Sequence, residues 1–177
     1  MCLFTIKDTP QKTDSPIKCM KLVRKVVDEN GKVEYRSLYS VLHGFIRYTV
    51  GERAEMIRNG KDEPGKVLEK KIRKSVIGAF PKYNNTVHEG LHTFIAEYND
   101  WERVAMWAVI YYDDWKLALL ECEIPAGTEY CYGMHNCLSY TNGERGYTSE
   151  YLDVIREMDI DWSEIKEKAN ANLLKID

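Results

Sequence analysis

Alternation of apolar and polar positions marks the first third of the chain. Ile17 to Val27 alternates, is rich in β-branched residues and runs into Asp28-Glu29-Asn30-Gly31. Asn-Gly supplies the positive φ angles of a tight hairpin, so a strand, a turn and a return strand over Lys32 to Tyr39 are predicted. Leu3 to Ile6 predicts a short strand ahead of this hairpin, across a polar loop at residues 7–16 that holds Pro10 and Pro16. Phe45 to Val50 alternates again and stops at Gly51, and residues 59–65 carry turn chemistry. Val67 to Val76 fits either a short helix or an irregular strand. Phe80 to Asn85 reads as loop.

The period changes at Asn99-Asp100-Trp101-Glu102. Asn99 with Glu102 three positions on has the capping-box spacing, which predicts a helix to about Tyr112, ended by Asp113-Asp114. Lys116 to Ile124 is apolar enough for a buried strand, punctuated by Pro125-Ala126-Gly127, and Thr128 to Tyr132 predicts another. Gly133, Asn136, Asn142, Gly143 and Gly146 make residues 133–146 a long loop. Tyr147 to Met158 alternates and favours a strand over a helix. From Asp161 a terminal helix is predicted, with Ser163 as its cap and Ile165 and Leu173 or Leu174 facing inward. Strands that adjoin through hairpins, with a mid-chain helix and a C-terminal helix, predict an α+β fold built mainly on an antiparallel sheet.

Length makes this a single domain over residues 1–177, large enough for a substantial core. The net charge of −3 gives no global basic surface, so nucleic-acid binding is disfavoured. Lys66, Lys70, Lys71, Arg73 and Lys74 form a local basic run, read first as a solvated helix face. An odd number of cysteines, five in all, with no leader-like segment, predicts free thiols in a cytoplasmic setting. The longest apolar run, Val104 to Tyr112, is too short to cross a membrane.

Four constellations could carry chemistry. His88-Glu89-Gly90-Leu91-His92 matches H-E-x-x-H, in which two histidines hold zinc and the glutamate acts as general base. That site needs a helix to put His88 and His92 on one face. Gly90 and the Asn84-Asn85-Thr86-Val87 lead-in oppose a helix, and no third ligand falls in a second motif. The competing reading is a turn at Glu89-Gly90 and a buried, hydrogen-bonded His92. Cys131, His135 and Cys137, with Cys122, form a weaker metal set of non-standard spacing, against a reading as buried thiols. Cys2 could become an N-terminal nucleophile after Met removal, but no base or orienting group is visible beside it. The last set is tyrosine-rich: Tyr39, Tyr48, Tyr130, Tyr132, Tyr140, Tyr147 and Tyr151. With His92 and Trp101 these could line a cleft, although sheet-face packing competes. No G-x-G-x-x-G or Walker pattern occurs.

Several short segments carry a resemblance. They are the opening Met-Cys-Leu-Phe-Thr, Tyr48 to Gly51, Glu89 to Phe94, Cys122 to Thr128, Gly133, and Gly146 to Ser149. Together they resemble a loose group of small uncharacterised proteins of gut Bacteroidetes and of their phages and mobile elements. The resemblance implies an accessory role, such as binding a host protein or a nucleotide signal, or a minor virion part. It places the protein in a host cytoplasm or a virion, and it carries no activity.

The expected function is therefore a small non-enzymatic binding protein, with His92, Phe94, Tyr48 and Tyr130 facing a small ligand or protein partner. No cofactor, no membrane and no nucleic acid are expected, and a homo-oligomer is compatible. The alternatives are a zinc-dependent hydrolase, with His88 and His92 as ligands and Glu89 as base, and a phage structural or assembly protein.

Overall fold

The computed structural model describes residues 3–38, 45–56, 72–74, 85–87, 90–112, 116–135 and 144–173. Thirteen strands are described, β1 (Leu3–Thr5), β2 (Gln11–Lys12), β3 (Ile17–Val27), β4 (Val33–Ser37), β5 (Arg47–Tyr48), β6 (Arg53–Glu55), β7 (Ile72–Lys74), β8 (Asn85–Val87), β9 (Leu91–Ile95), β10 (Leu117–Ile124), β11 (Glu129–His135), β12 (Glu144–Ser149) and β13 (Tyr151–Glu157). Two helices are described, α1 (Asp100–Tyr111) between β9 and β10, and α2 (Trp162–Leu173) after β13. The expected antiparallel sheet with a mid-chain and a C-terminal helix is present, and strand dominates more than an even α+β mixture would imply.

Every described strand pair is antiparallel, in the order β6-β13-β10-β3-β9-β12-β11-β1-β8-β7. Strand β3 organises this sheet because its length lets it serve three neighbours. One edge pairs with all of β10, from Arg24↔Leu117 to Ile17↔Ile124. The other edge is shared: Cys19 and Met20 face Ile95 and Phe94 of β9, and Val23 to Val27 face β4. From β4 the path continues to β5, and a turn at residues 49–52 leads into β6, which returns to β13. Six strands thus curl around one core of Cys19, Val23, Ile46, Tyr48, Ala54, Leu91, Ala118, Leu120, Cys122, Ile124, Leu152 and Val154.

Strand periodicity divides the interior. Ala118, Leu120 and Cys122 enter that first core, while their neighbours Leu117 and Leu119 face the helices. There Leu22, Phe94, Leu117 and Leu119 meet Trp101, Val104, Ala105 and Ala108 of α1 and Ile165 of α2. A third cluster gathers Leu3, Met56, Val87 and Cys131, with Ile72 against it.

Several local expectations are revised. The β3–β4 turn is wider than a two-residue hairpin. Asp28 closes it by bonding Lys32 through the backbone and accepting the amides of Asn30 and Lys32 on its carboxylate, while Gly31 takes φ 78°. Asn99 makes no side-chain cap. The helix start is tied instead through Asp100, whose carboxylate accepts the backbone amide of Arg145 at 3.0 Å and its Nε at 2.9 Å. Part of the predicted loop at 133–146 is strand, because Gly133 and Gly146 are cross-strand partners of β11 and β12. The predicted strand at 147–158 is two strands that part at Glu150, with β12 on β9 and β11 and β13 on β10 and β6. Ile72–Lys74 is strand, which decides that part of the 67–76 ambiguity, and Asn85 begins β8 instead of closing a loop. The remainder of 67–76, the turn at 59–65 and Leu174 lie outside the described residues, and the burial of Leu173 is not described either.

Ser163 does not cap α2. Asp161 does, since its carboxylate accepts the amides of Ser163 at 3.0 Å and Glu164 at 3.2 Å. Asp161→Ala is therefore expected to lower stability by about 1 kcal/mol, and Ser163→Ala to change it by a few tenths at most. Paired urea titrations check this, and equal losses in the two variants would refute the assignment.

Candidate functional site

The end of the sheet where β3 finishes and β10 begins opens into a groove beneath both helices. Lys25 and Val27 come from β3, and Lys116 and Leu117 from the start of β10. The amide of Lys25 holds these two strands together through the Lys116 carbonyl at 2.7 Å. The last turn of α1 and the residue after it contribute Val109 and Tyr112, α2 contributes Trp162 and Lys166, and β13 contributes Glu157. The cavity measures about 450 Å³ and its lining is mostly apolar.

One ion pair is preset in this groove. Lys25 Nζ donates to both oxygens of Glu157 at 2.8 Å, and the Tyr35 hydroxyl donates to Glu157 Oε2 at 2.6 Å. Burial opposes ionisation of Glu157, but the Lys25 and Tyr35 donors outweigh it and hold the carboxyl below its ordinary range. The same burial, together with the Glu157 carboxylate, pushes the Tyr35 phenol up to about 12. Near neutral pH the pair is therefore a fixed carboxylate and ammonium. The lining also holds Lys116 and Lys166, so it carries three ammonium groups against one carboxylate.

His92, Phe94, Tyr48 and Tyr130 do not line this groove. His92 sits on β9 opposite Thr148 of β12, with its Nδ1 2.6 Å from the Thr148 hydroxyl. Its ring meets that of His135 edge-on at 5.5 Å, and Phe94 meets His135 the same way at 5.4 Å. His135 Nε2 donates to the Thr93 carbonyl at 2.9 Å. Tyr48 belongs to the first core, with Tyr130 packed against it, and Tyr130 meets Tyr147 edge-on at 5.8 Å. Lys21 links the two sets: its Nζ donates to the His92 carbonyl and lies 5.5 Å from the centre of the Tyr48 ring. His92 is 8% exposed and Phe94 and Tyr48 are each 2% exposed, so these three are packed interior and not the wall of an open cleft.

The metal readings meet the same geometry. His92 lies on a strand, whereas H-E-x-x-H requires a helix; His88 and Glu89 lie outside the described residues. Cys131 and His135 share a face of β11, but four residues of strand separate their Cβ atoms by roughly 13 Å. Cys122 belongs to another cluster, and Cys137 lies outside the described residues. Among the described residues no three His, Cys, Asp or Glu side chains are grouped to hold a metal ion. Cys2, Tyr39, Tyr140, Lys66, Lys70 and Lys71 also lie outside them, whereas Arg73 and Lys74 are exposed on β7. No described helix is long and apolar enough to cross a membrane.

Sequence reasoning did not find the groove because five separate elements build it and no motif spans them. The available signals were weak: Trp162 immediately after the Asp161 cap, and Lys25 and Lys116 at strand ends. The chain matches no protein-family model, no curated protein and no solved structure.

Proposed function

We propose that this α+β chain is a binding protein for a small organic molecule, held in the groove between the two helices and the β3–β10 sheet end. The observation that carries this reading is the groove itself. A volume of about 450 Å³ with a mainly apolar lining and a few convergent charged groups has the make-up of a small-molecule site. Its chemistry supports binding over catalysis. Glu157 is held ionised by two donors and is a poor proton carrier near neutral pH, and the other charged groups of the lining are ammoniums.

Val27 offers a way to close the groove without disturbing the core, because it lines the groove yet is 45% exposed. Val27→Trp should fill the cavity from its open side and leave the melting temperature nearly unchanged. A thermal-shift screen of metabolite-sized compounds is expected to stabilise the wild type through linkage, and the same compounds should lose their effect on Val27→Trp. Compounds that stabilise both proteins equally would place the ligand site elsewhere.

A further inference from the structure

We infer that the groove takes a flat heterocycle with a lactam edge, its ring N–H donating to Glu157, its carbonyl accepting from Lys25 and its face lying against Trp162. This rests on the reading of the groove as a ligand site and names the chemistry of its occupant. Three features of the lining point to that class.

The first is an acceptor with a fixed direction. An ionised carboxylate has about four acceptor positions. Lys25 and Tyr35 fill three on Glu157, two on Oε2 and one on Oε1. The remaining position is on Oε1, and those donors have already set the orientation of the carboxylate. A purely apolar ligand would strip water from this position and return nothing, at a desolvation cost, whereas an N–H restores the bond.

The second is a donor beside it. An ammonium has three N–H groups. At most two of those on Lys25 serve Glu157, and among the described residues no acceptor takes the third. The Tyr35 ring, centred 5.9 Å from Nζ, lies at the outer limit of a cation–π contact and fills no hydrogen-bond position. Lys25 Nζ and Glu157 Oε1 stand 2.8 Å apart, so the wall offers one donor and one acceptor side by side. A ligand carboxylate would be repelled by Glu157, and a ligand ammonium by Lys25. A neutral group that both donates and accepts fits the pair better than either ion. An amide does so, with its N and O roughly 2.3 Å apart from the C=O and C–N bond lengths. An open-chain secondary amide is trans and points its N–H and C=O to opposite sides. An amide closed into a small ring holds both on one edge.

The third is the aromatic wall. Trp162 is half-buried and meets Trp101 only edge-on, with ring centres 6.4 Å apart and planes inclined at 69°. An edge contact does not cover the face of an indole, and a flat conjugated ring gains from offset stacking there. Val27, Val109, Tyr112 and Leu117 supply the remaining apolar surface.

The test is calorimetric titration of the full chain with 2-quinolone, hypoxanthine, N-methyl-2-quinolone and quinoline, with parallel NMR spectra of the Trp162 indole N–H. The first two present a lactam edge, and the last two keep a flat surface but lack the N–H. 2-Quinolone or hypoxanthine should bind one to one and shift the Trp162 signal. N-methyl-2-quinolone and quinoline should bind at least about tenfold more weakly, since a hydrogen bond to an ionised carboxylate is lost. Lys25→Met with Glu157→Met replaces the whole pair by apolar side chains, which a fold tolerates better than the loss of one partner. This variant should bind 2-quinolone no better than wild type binds the N-methyl compound. N-methyl-2-quinolone binding wild type as tightly as 2-quinolone, or full 2-quinolone affinity in the double variant, would overturn the lactam assignment. The same holds if both lactams fail while screening compounds without such an edge move the Trp162 signal, and the groove then stands as a binding site. If neither the four probes nor the screening compounds move that signal, the ligand class and the groove reading fall together.

Discussion

Gly146→Ala is expected to cost the fold more than about 3 kcal/mol, among the largest effects of any single methyl group in this chain. A Cβ at this position would stand 2.2 Å from the Thr93 carbonyl oxygen and 2.3 Å from His135 Nε2. Neither neighbour is free to retreat. The carbonyl belongs to β9, which is paired with β12 on one side and β3 on the other. The imidazole is fully buried, bonded to that same carbonyl and packed edge-on against His92 and Phe94. Gly146 is thus the gap through which His135 crosses from β11 to reach β9. Its strand partner Gly133 is a second such gap, where a Cβ would meet the Phe4 carbonyl oxygen at 2.0 Å. Chemical denaturation would measure the loss. His135→Ala in the Gly146→Ala background should recover part of it, since one of the two clashes then disappears; a Gly146→Ala protein within 1 kcal/mol of wild type would show that β9 and β12 do not approach as described.

Those glycines also show where sequence reasoning reached its limit. Gly133 and Gly146 have the look of loop punctuation, because glycine most often marks a turn. Here each is a strand position required by close approach of another backbone, which depends on strands far away in sequence. Short-range pattern did better where the chain keeps one conformation along a whole element. The alternation of Ile17 to Val27, the apolar run to Ile124, and the helix predicted from Asn99 to about Tyr112 each correspond to an observed strand or helix. The break at Glu150 was not visible, since the alternation on either side continues while the chain changes neighbours. The groove was illegible for a related reason: Lys25, Lys116, Glu157 and Trp162 become neighbours only when β3, β10, β13 and α2 converge.

Lys21→Met is the second large expectation, and its sign is the reverse: the variant should be more stable than wild type by roughly 2 kcal/mol near pH 7. Lys21 lies on the core-facing side of β3 between Cys19 and Val23 and is 8% exposed. Its ammonium donates to the His92 carbonyl, and burial lowers its pKa from 10.5 to about 8, with the Cys122 and Cys19 thiols pulling weakly the other way. A lysine whose folded value lies below its unfolded value binds its proton less tightly in the native state. The penalty, on the order of 3 kcal/mol, is complete below about pH 8 and is relieved as pH rises from there towards 10.5. The neighbouring thiols work in the opposite sense, since burial pushes the pKa of Cys19 up to about 12 and that of Cys122 higher still, so folding loses stability as unfolded thiols ionise. Comparing wild type with Lys21→Met removes that shared background. The stability gap between the two should narrow as pH rises from about 8 towards 10.5. A gap constant with pH, or a less stable methionine variant, would mean that the ammonium is adequately solvated where it lies.

A ligand is expected in the groove and not at the histidine array. The most direct measurement is an NMR titration, with the compound that most stabilises the wild type in the thermal-shift screen, that follows both places in one sample. The methyl groups of Val27, Val109 and Leu117 and the indole of Trp162 report on the groove, and the imidazoles of His92 and His135 report on the interior. The groove signals should move together along one saturable curve while the two imidazoles stay still. Saturable movement of the His92 and His135 signals, with the groove unchanged, would contradict the account and return the ligand site to the residues around His92.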